Sequence, residues 1–217
     1  MMKKPGKTGL VLKVLRRFGL LLESDPALIS VCSLVAGKPI SGSWWGHAKG
    51  REIWVVTQEL ADDPDIIVTK LVAGKSTFVH RTLWPSLLAV AGSGEAWQTR
   101  NLSPMAKGLL EKIKADGLLN LADLPKKPSE SKARGKAVRE LETRILVLSE
   151  QFHTESGAHA KRMTSWSRWA RRMKIGRAQI ELPAAKARIE RAVIDLGSPS
   201  SADGRLPWNV AGLKKTP

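Results

Sequence analysis

The side chains best suited to chemistry are concentrated between His153 and Arg172, in the stretch HTESGAHAKRMTSWSRWARR. His153, Glu155 and His159 are of metal-ligand type. Their spacing is not the H-E-x-x-H pattern, in which two histidines share a helical face and the glutamate lies beside the bound water. Six positions separate the two histidines, which turns them to different sides of a continuous helix. The expectation is a bend between helices at Ser156-Gly157, with no metal centre and no cofactor.

The cations that follow have a clearer use. Lys161, Arg162, Arg168, Arg171, Arg172, Lys174 and Arg177 occur with no acid among them. Arg168 and Arg172 lie four apart on a predicted helix, as do Lys161 and Ser165, while Trp166, Trp169 and Met173 form its inward face. Such a helix can offer Lys161, Arg162, Arg168, Arg171 and Arg172 to phosphates. A second candidate is the hairpin predicted in IIVTKLVAGKSTFVHR, where apolar and polar residues alternate on either side of a turn near Gly74. It places Lys70, Lys75, His80 and Arg81 where a wing would carry them to a nucleic-acid backbone. A third group, Trp44, Trp45, His47 and Arg51 with His153 and Glu155, could line a cleft.

Charge supports a polyanionic partner. Thirty-six Lys and Arg against twenty Asp and Glu leave +16 over 217 residues, a field that attracts nucleic acid. The single cysteine, Cys32, excludes an intrachain disulfide framework and reads as a buried thiol. No apolar run approaches the roughly 20 residues of a membrane span, and the basic start is broken by Arg16 and Arg17 without a cleavage site. A cytoplasmic protein without membrane association is expected.

The elements that must position these groups are mostly short helices. The fold expected is mainly α with a small β-hairpin, in winged-helix or helix-turn-helix-like units followed by a C-terminal helical unit. Residues 1–23 read as a basic arm or docking helix and 24–125 as a winged-helix-like domain. Within that domain a helix is predicted from Ser43 to Leu60, with Trp44, His47, Arg51, Trp54 and Gln58 on one face. The proline-rich, basic residues 126–134 read as a linker. Residues 135–197 read as a helical unit opened by the stripe Val138, Leu141, Ile145, Leu148 and Phe152. Residues 198–217 read as an irregular tail packed on the body, with Trp208 as its anchor.

No catalytic residue emerges from these patterns. AGKST lacks the earlier glycine and the following helix of a P-loop, and the acids Glu59, Asp62, Asp63 and Asp65 read as a helix end and turn. The segments SWWGHAKGREIW, FVHRTLWPSLLAV and ETRILVLSEQFHTESGAHAKRMTSWSRWA resemble small bacterial proteins of undefined function related to winged-helix DNA glycosylases of the interstrand-crosslink repair type. The resemblance covers roughly residues 27–170 and implies winged-helix units around a DNA-binding surface. Those glycosylases carry a glutamine-centred catalytic motif with glutamine or aspartate two positions on. Gln58, Gln98, Gln151 and Gln179 all lack that neighbour, so no catalytic residue is carried over.

The function expected is therefore DNA binding, non-enzymatic or accessory, through a basic helix and a wing. One alternative is a glycosylase-like repair enzyme with a divergent site drawn from His47, Glu52, His153 and Glu155. Another is an interaction module for an acidic protein.

Overall fold

The computed structural model describes residues 6–125, 128–153, 159–176, 180–198, 202 and 204–209. They are mainly helical, with two three-stranded antiparallel sheets where a single hairpin was expected.

The first helix, α1 (Lys7–Phe18), buries Val11 and Leu15 and stops at Gly19, whose amide donates to the Leu15 carbonyl. Gly19 has φ +80°, and a Cβ there would lie 2.7 Å from Leu83 Cγ. Only glycine fits both the left-handed backbone and the close approach. The chain reverses into β1 (Leu20–Leu22), whose three leucines are fully buried. A Ser30–Ser33 capping box opens α2 (Val31–Ala36). Then come α3 (Gly50–Asp62), β2 (Ile66–Thr69) and β3 (Thr77–His80), with β3 between β1 and β2. The expected hairpin is present, in register Ile66↔His80 to Thr69↔Thr77.

The α3 helix starts six residues later than a cap at Ser43 would set it, with Lys49 in the cap position. The Ser43 hydroxyl accepts from the Trp45 amide rather than from a first-turn helical amide. The Trp44 indole is pinned to Glu23 at 2.9 Å and stacked on Trp45. Successive turns, His47 amide to Trp44 carbonyl and Gly50 amide to His47 carbonyl, then lead into the helix. Trp44 and His47 therefore do not share its face.

After α4 (Trp84–Ala91) and α5 (Ala96–Thr99), the pattern of the first unit returns. Ser103 and Pro104 start α6 (Pro104–Asp116), and Gly117, at φ +71°, ends it before β4 (Leu118–Asn120). A 3₁₀ turn at Leu121–Asp123 stands where the first unit has α2. It leads to α7 (Pro128–Thr143), β5 (Leu148–His153) and β6 (His159–Thr164), with β6 between β4 and β5. Strand order matches the first sheet, and so does the helix-Gly-Leu-Leu entry into the first strand.

Three sequence expectations are corrected here. The stripe from Val138 to Phe152 is not one helix. It stops at Thr143, where Ile145 takes φ +52° and the Leu146 amide folds back to the Leu141 carbonyl. A step of four is also even, so Leu148 and Phe152 fit one strand as well as one helix. The helix bend expected around Ser156-Gly157 instead falls between two paired strands, and residues 154–158 themselves lie outside the described residues. Residues 128–134, read as linker, form the first turns of α7.

The chain closes with α8 (Trp166–Arg172) and α9 (Leu182–Asp195). One apolar core joins the first unit to Trp166, Trp169, the inner face of α9 and Trp208, and a second lies among α6, α7 and the second sheet. Cys32 is buried in the first core, where desolvation pushes its thiol up to about 11. Among the described residues no helix is long and apolar enough to cross a membrane.

Gly19→Ala should destabilise the fold by about 2 kcal/mol, since it combines a strained φ with overpacking against Leu83. Thermal unfolding should register this as a fall in Tm of several degrees. An unchanged Tm would mean that Leu83 moves aside freely.

Candidate nucleic-acid interface

The orientation of α8 follows from its two indoles. Ser165 caps the helix by accepting from the Arg168 amide, and Trp166 and Trp169 are buried. Trp169 meets Trp84 of α4 edge-on at 5.0 Å and Trp166 at 5.8 Å. With that face inward, Arg168, Arg171 and Arg172 turn to solvent. The helix start is fixed by two bonds to the Gly117 carbonyl, one from the Ser165 amide at 3.0 Å and one from the Thr164 hydroxyl at 3.1 Å.

Arg162 reaches the same place from β6, not from a helix. Its cross-strand partner is Glu150, which accepts from Arg162 Nη2 at 2.8 Å and Nε at 3.3 Å. Arg172 also binds Glu150, through both terminal nitrogens. Burial alone would push the Glu150 carboxyl up. Hydrogen bonds from Arg172 and Arg162, with their charges, outweigh it and hold the group below its ordinary value. Arg168 donates to the Asp116 carbonyl at the end of α6, at 2.8 Å, a favourable place for a cation. Arg162, Arg168, Arg171 and Arg172 thus line one cavity of about 520 Å³, with Leu118 and Trp169 in its wall.

The other expected cations are placed differently. Lys161 projects from β6 to Glu142 of α7 at 2.8 Å, while its neighbour Arg162 faces α8. On the first hairpin, Lys75 binds Asp25 at 2.7 Å, Lys70 donates to Ser76 at 2.8 Å, and Arg81 pairs with Asp65 at 3.2 Å. Asp25 is 3% exposed and also accepts from the Ala27 and Leu28 amides. Desolvation lowers the Lys70 pKa despite the nearby carboxylates of Glu142 and Glu23. The hairpin loop is covered as well: Ala73 donates to the Arg205 carbonyl and Arg139 to the Gly74 carbonyl. Lys70 and Lys75 are engaged by partners within the first unit rather than standing free.

Of the six possible cleft residues, Trp44, Trp45, His47 and Arg51 do not line the cavity beside α8. Trp44 is a buried seal bound to Glu23, and Trp45 is 68% exposed and stacked on it at 4.2 Å. His47 accepts from the Lys49 amide, and Arg51 lies on the outer face of α3. His153 belongs to β5 in the second unit, and Glu155 lies outside the described residues. Glu52 pairs with Lys49 and Lys7. Among the glutamines, Gln98 is fully buried and bonded to Val90, Ala91 and Ser93, Gln58 and Gln151 are exposed, and Gln179 lies outside the described residues. Among the described residues no group of three or more His, Cys, Asp or Glu could hold a metal.

One cationic surface escaped sequence inspection. Lys132, Lys136 and Arg139 are exposed on α7, opposite the buried Ala137, Val138 and Leu141. Their four-and-three spacing was visible in SKARGKAVR, but Gly135 and the preceding prolines made that stretch look like linker.

The model of the family described as AlkZ related matches residues 10–204, a span that takes in both units and α8 and α9. The chain belongs to the AlkZ-related family. This bears out the resemblance to relatives of interstrand-crosslink repair glycosylases and extends it beyond residues 27–170. No curated protein and no solved structure matches the chain.

Glu150 has a depressed pKa in the fold, so its stabilising contribution is present at neutral pH and lost as pH falls through the acid carboxylate range. Glu150→Gln should therefore be less stable than the parent at neutral pH, with the gap closing below about pH 4. Denaturant titrations across that range would reveal it. A gap that stayed constant into acid would show that Glu150 is not the titrating group.

Proposed function

We propose that the chain is a DNA-binding protein, non-enzymatic or accessory in a DNA-repair setting, and that its second unit holds the nucleic acid. Each unit runs helix, strand, helix or turn, helix, hairpin, with its last strand in the middle of the sheet. We read both as winged helices, in which the third helix meets the groove and the hairpin flanks it.

The observation that carries the assignment is the unequal placement of cations. In the first unit the hairpin cations Lys70, Lys75 and Arg81 are engaged internally. The solvent face of its third helix, α3, shows Arg51 among Trp54, Val55, Gln58 and Asp62. In the second unit the corresponding helix, α7, exposes Lys132, Lys136 and Arg139. Membership of a family related to DNA-repair glycosylases supports DNA as the polyanion.

The same membership favours one second role, a glycosylase with a divergent site. Release of a damaged base from alkylated or crosslinked duplex would establish it. Against it stand the buried, fully bonded Gln98 and the dispersal of His47, Glu52 and His153 over two units.

Duplex affinity should fall steeply between about 50 and about 200 mM salt, by a factor set by the number of phosphates neutralised. Lys132→Ala and Lys136→Ala should each weaken all sequences alike and lower the salt slope by about one. Fluorescence anisotropy on two unrelated duplexes measures both effects. Affinity unmeasurable at low salt, or slopes untouched by both substitutions, would refute the assignment to α7.

A further inference from the structure

The arginine cleft at α8 has a narrower chemistry than a track for duplex backbone. It lies across the second sheet from α7: on β6, Lys161 turns to α7 while Arg162 turns into the cleft. A duplex seated on Lys132 and Lys136 therefore leaves the cleft free for a different phosphate.

The lining itself says which kind. Trp169 is 2% exposed and is met edge-on by Trp84 and Trp166, so the cleft has no open aromatic face on which a base could stack. What remains is charge. Four guanidiniums against the single carboxylate of Glu150 leave three net positive charges around one cavity of about 520 Å³. Glu150 grips Arg162 and Arg172, Arg168 is held by the Asp116 carbonyl, and the Arg171 guanidinium has no hydrogen-bonding partner among the described residues. The first three are thus fixed in place and Arg171 is available.

An internal phosphodiester carries one negative charge and is flanked by two sugars. A terminal phosphate monoester carries close to two at neutral pH, is attached on one side only, and can enter a recess. Planar guanidiniums bind such an oxyanion through paired, charge-assisted hydrogen bonds.

We propose that Arg162, Arg168, Arg171 and Arg172 form a site for the terminal phosphate monoester of a nucleic-acid strand, with Glu150 positioning two of the four. This rests on the DNA-binding role assigned above. The site recognises a strand end by its charge and not by its base, so the preferred DNA is broken, gapped or overhung duplex.

The test uses the full chain and labelled duplexes with a short overhang, identical except that the strand end bears phosphate or hydroxyl, in matched 5′ and 3′ pairs. One phosphorylated end should bind about tenfold tighter than its hydroxyl counterpart, the gain expected of a pair of charge-assisted hydrogen bonds. Arg171→Ala, an exposed substitution, should erase that difference while the variant still binds hydroxyl-ended duplex. Equal affinity for phosphate and hydroxyl ends would overturn the site while leaving duplex binding intact. Failure of every duplex to bind would overturn both. A preference that survives in Arg171→Ala would place the site elsewhere. A free nucleoside monophosphate that competes as well as the phosphorylated strand would make the ligand a small molecule and overturn the strand-end assignment.

Discussion

The burial of Trp169 against Trp84 decides what this protein can present to a partner. The indole belongs to the α8 helix that follows the second unit, yet it sits in the core of the first, edge-on to a ring of α4. Such aromatic pairs contribute about 1 kcal/mol beyond their buried area, and here the larger consequence is geometric. With Trp166 also inward, the helix has one rotational setting, and in that setting Arg168, Arg171 and Arg172 face out beside Arg162. Apolar packing thus fixes the placement of charge.

Fixed charge also explains why two units of one topology carry different surfaces. In the first, Lys75 and Arg81 are counter-ions of the fold. Burial alone would raise the Asp25 pKa; the Lys75 hydrogen bond, with the Ala27 and Leu28 amides, more than offsets it and leaves the group below its ordinary value. In the second unit, Glu142 takes Lys161 and Glu150 takes Arg162 and Arg172, while Lys132, Lys136 and Arg171 remain in solvent. The excess positive charge of the chain is therefore not spread evenly over possible binding faces.

Much of this was legible in the sequence, and the failures have physical causes. The hairpin about Gly74 and the inward tryptophans of α8 follow from short-range rules and are present. The end of α7 was hidden because spacing of three and four continues across Ile145, where only the backbone, at positive φ, breaks the helix. The repeat of the whole unit left only a faint trace, a glycine followed by two leucines after each first helix. Its remaining positions specify burial rather than residue identity. The cleft itself is non-local: Glu150, Arg162 and Arg172 meet through strand register and helix docking, neither of which spacing reveals.

The central claim is that the second unit, not the first, contacts DNA. Mass-spectrometric footprinting with amine- and guanidinium-reactive reagents, with and without duplex, tests it in one measurement. Lys132 and Lys136 should be protected by DNA, while Lys49 and Arg51 at the start of α3 should react as before. Protection at Lys49 and Arg51 with none at Lys132 and Lys136 would contradict the account.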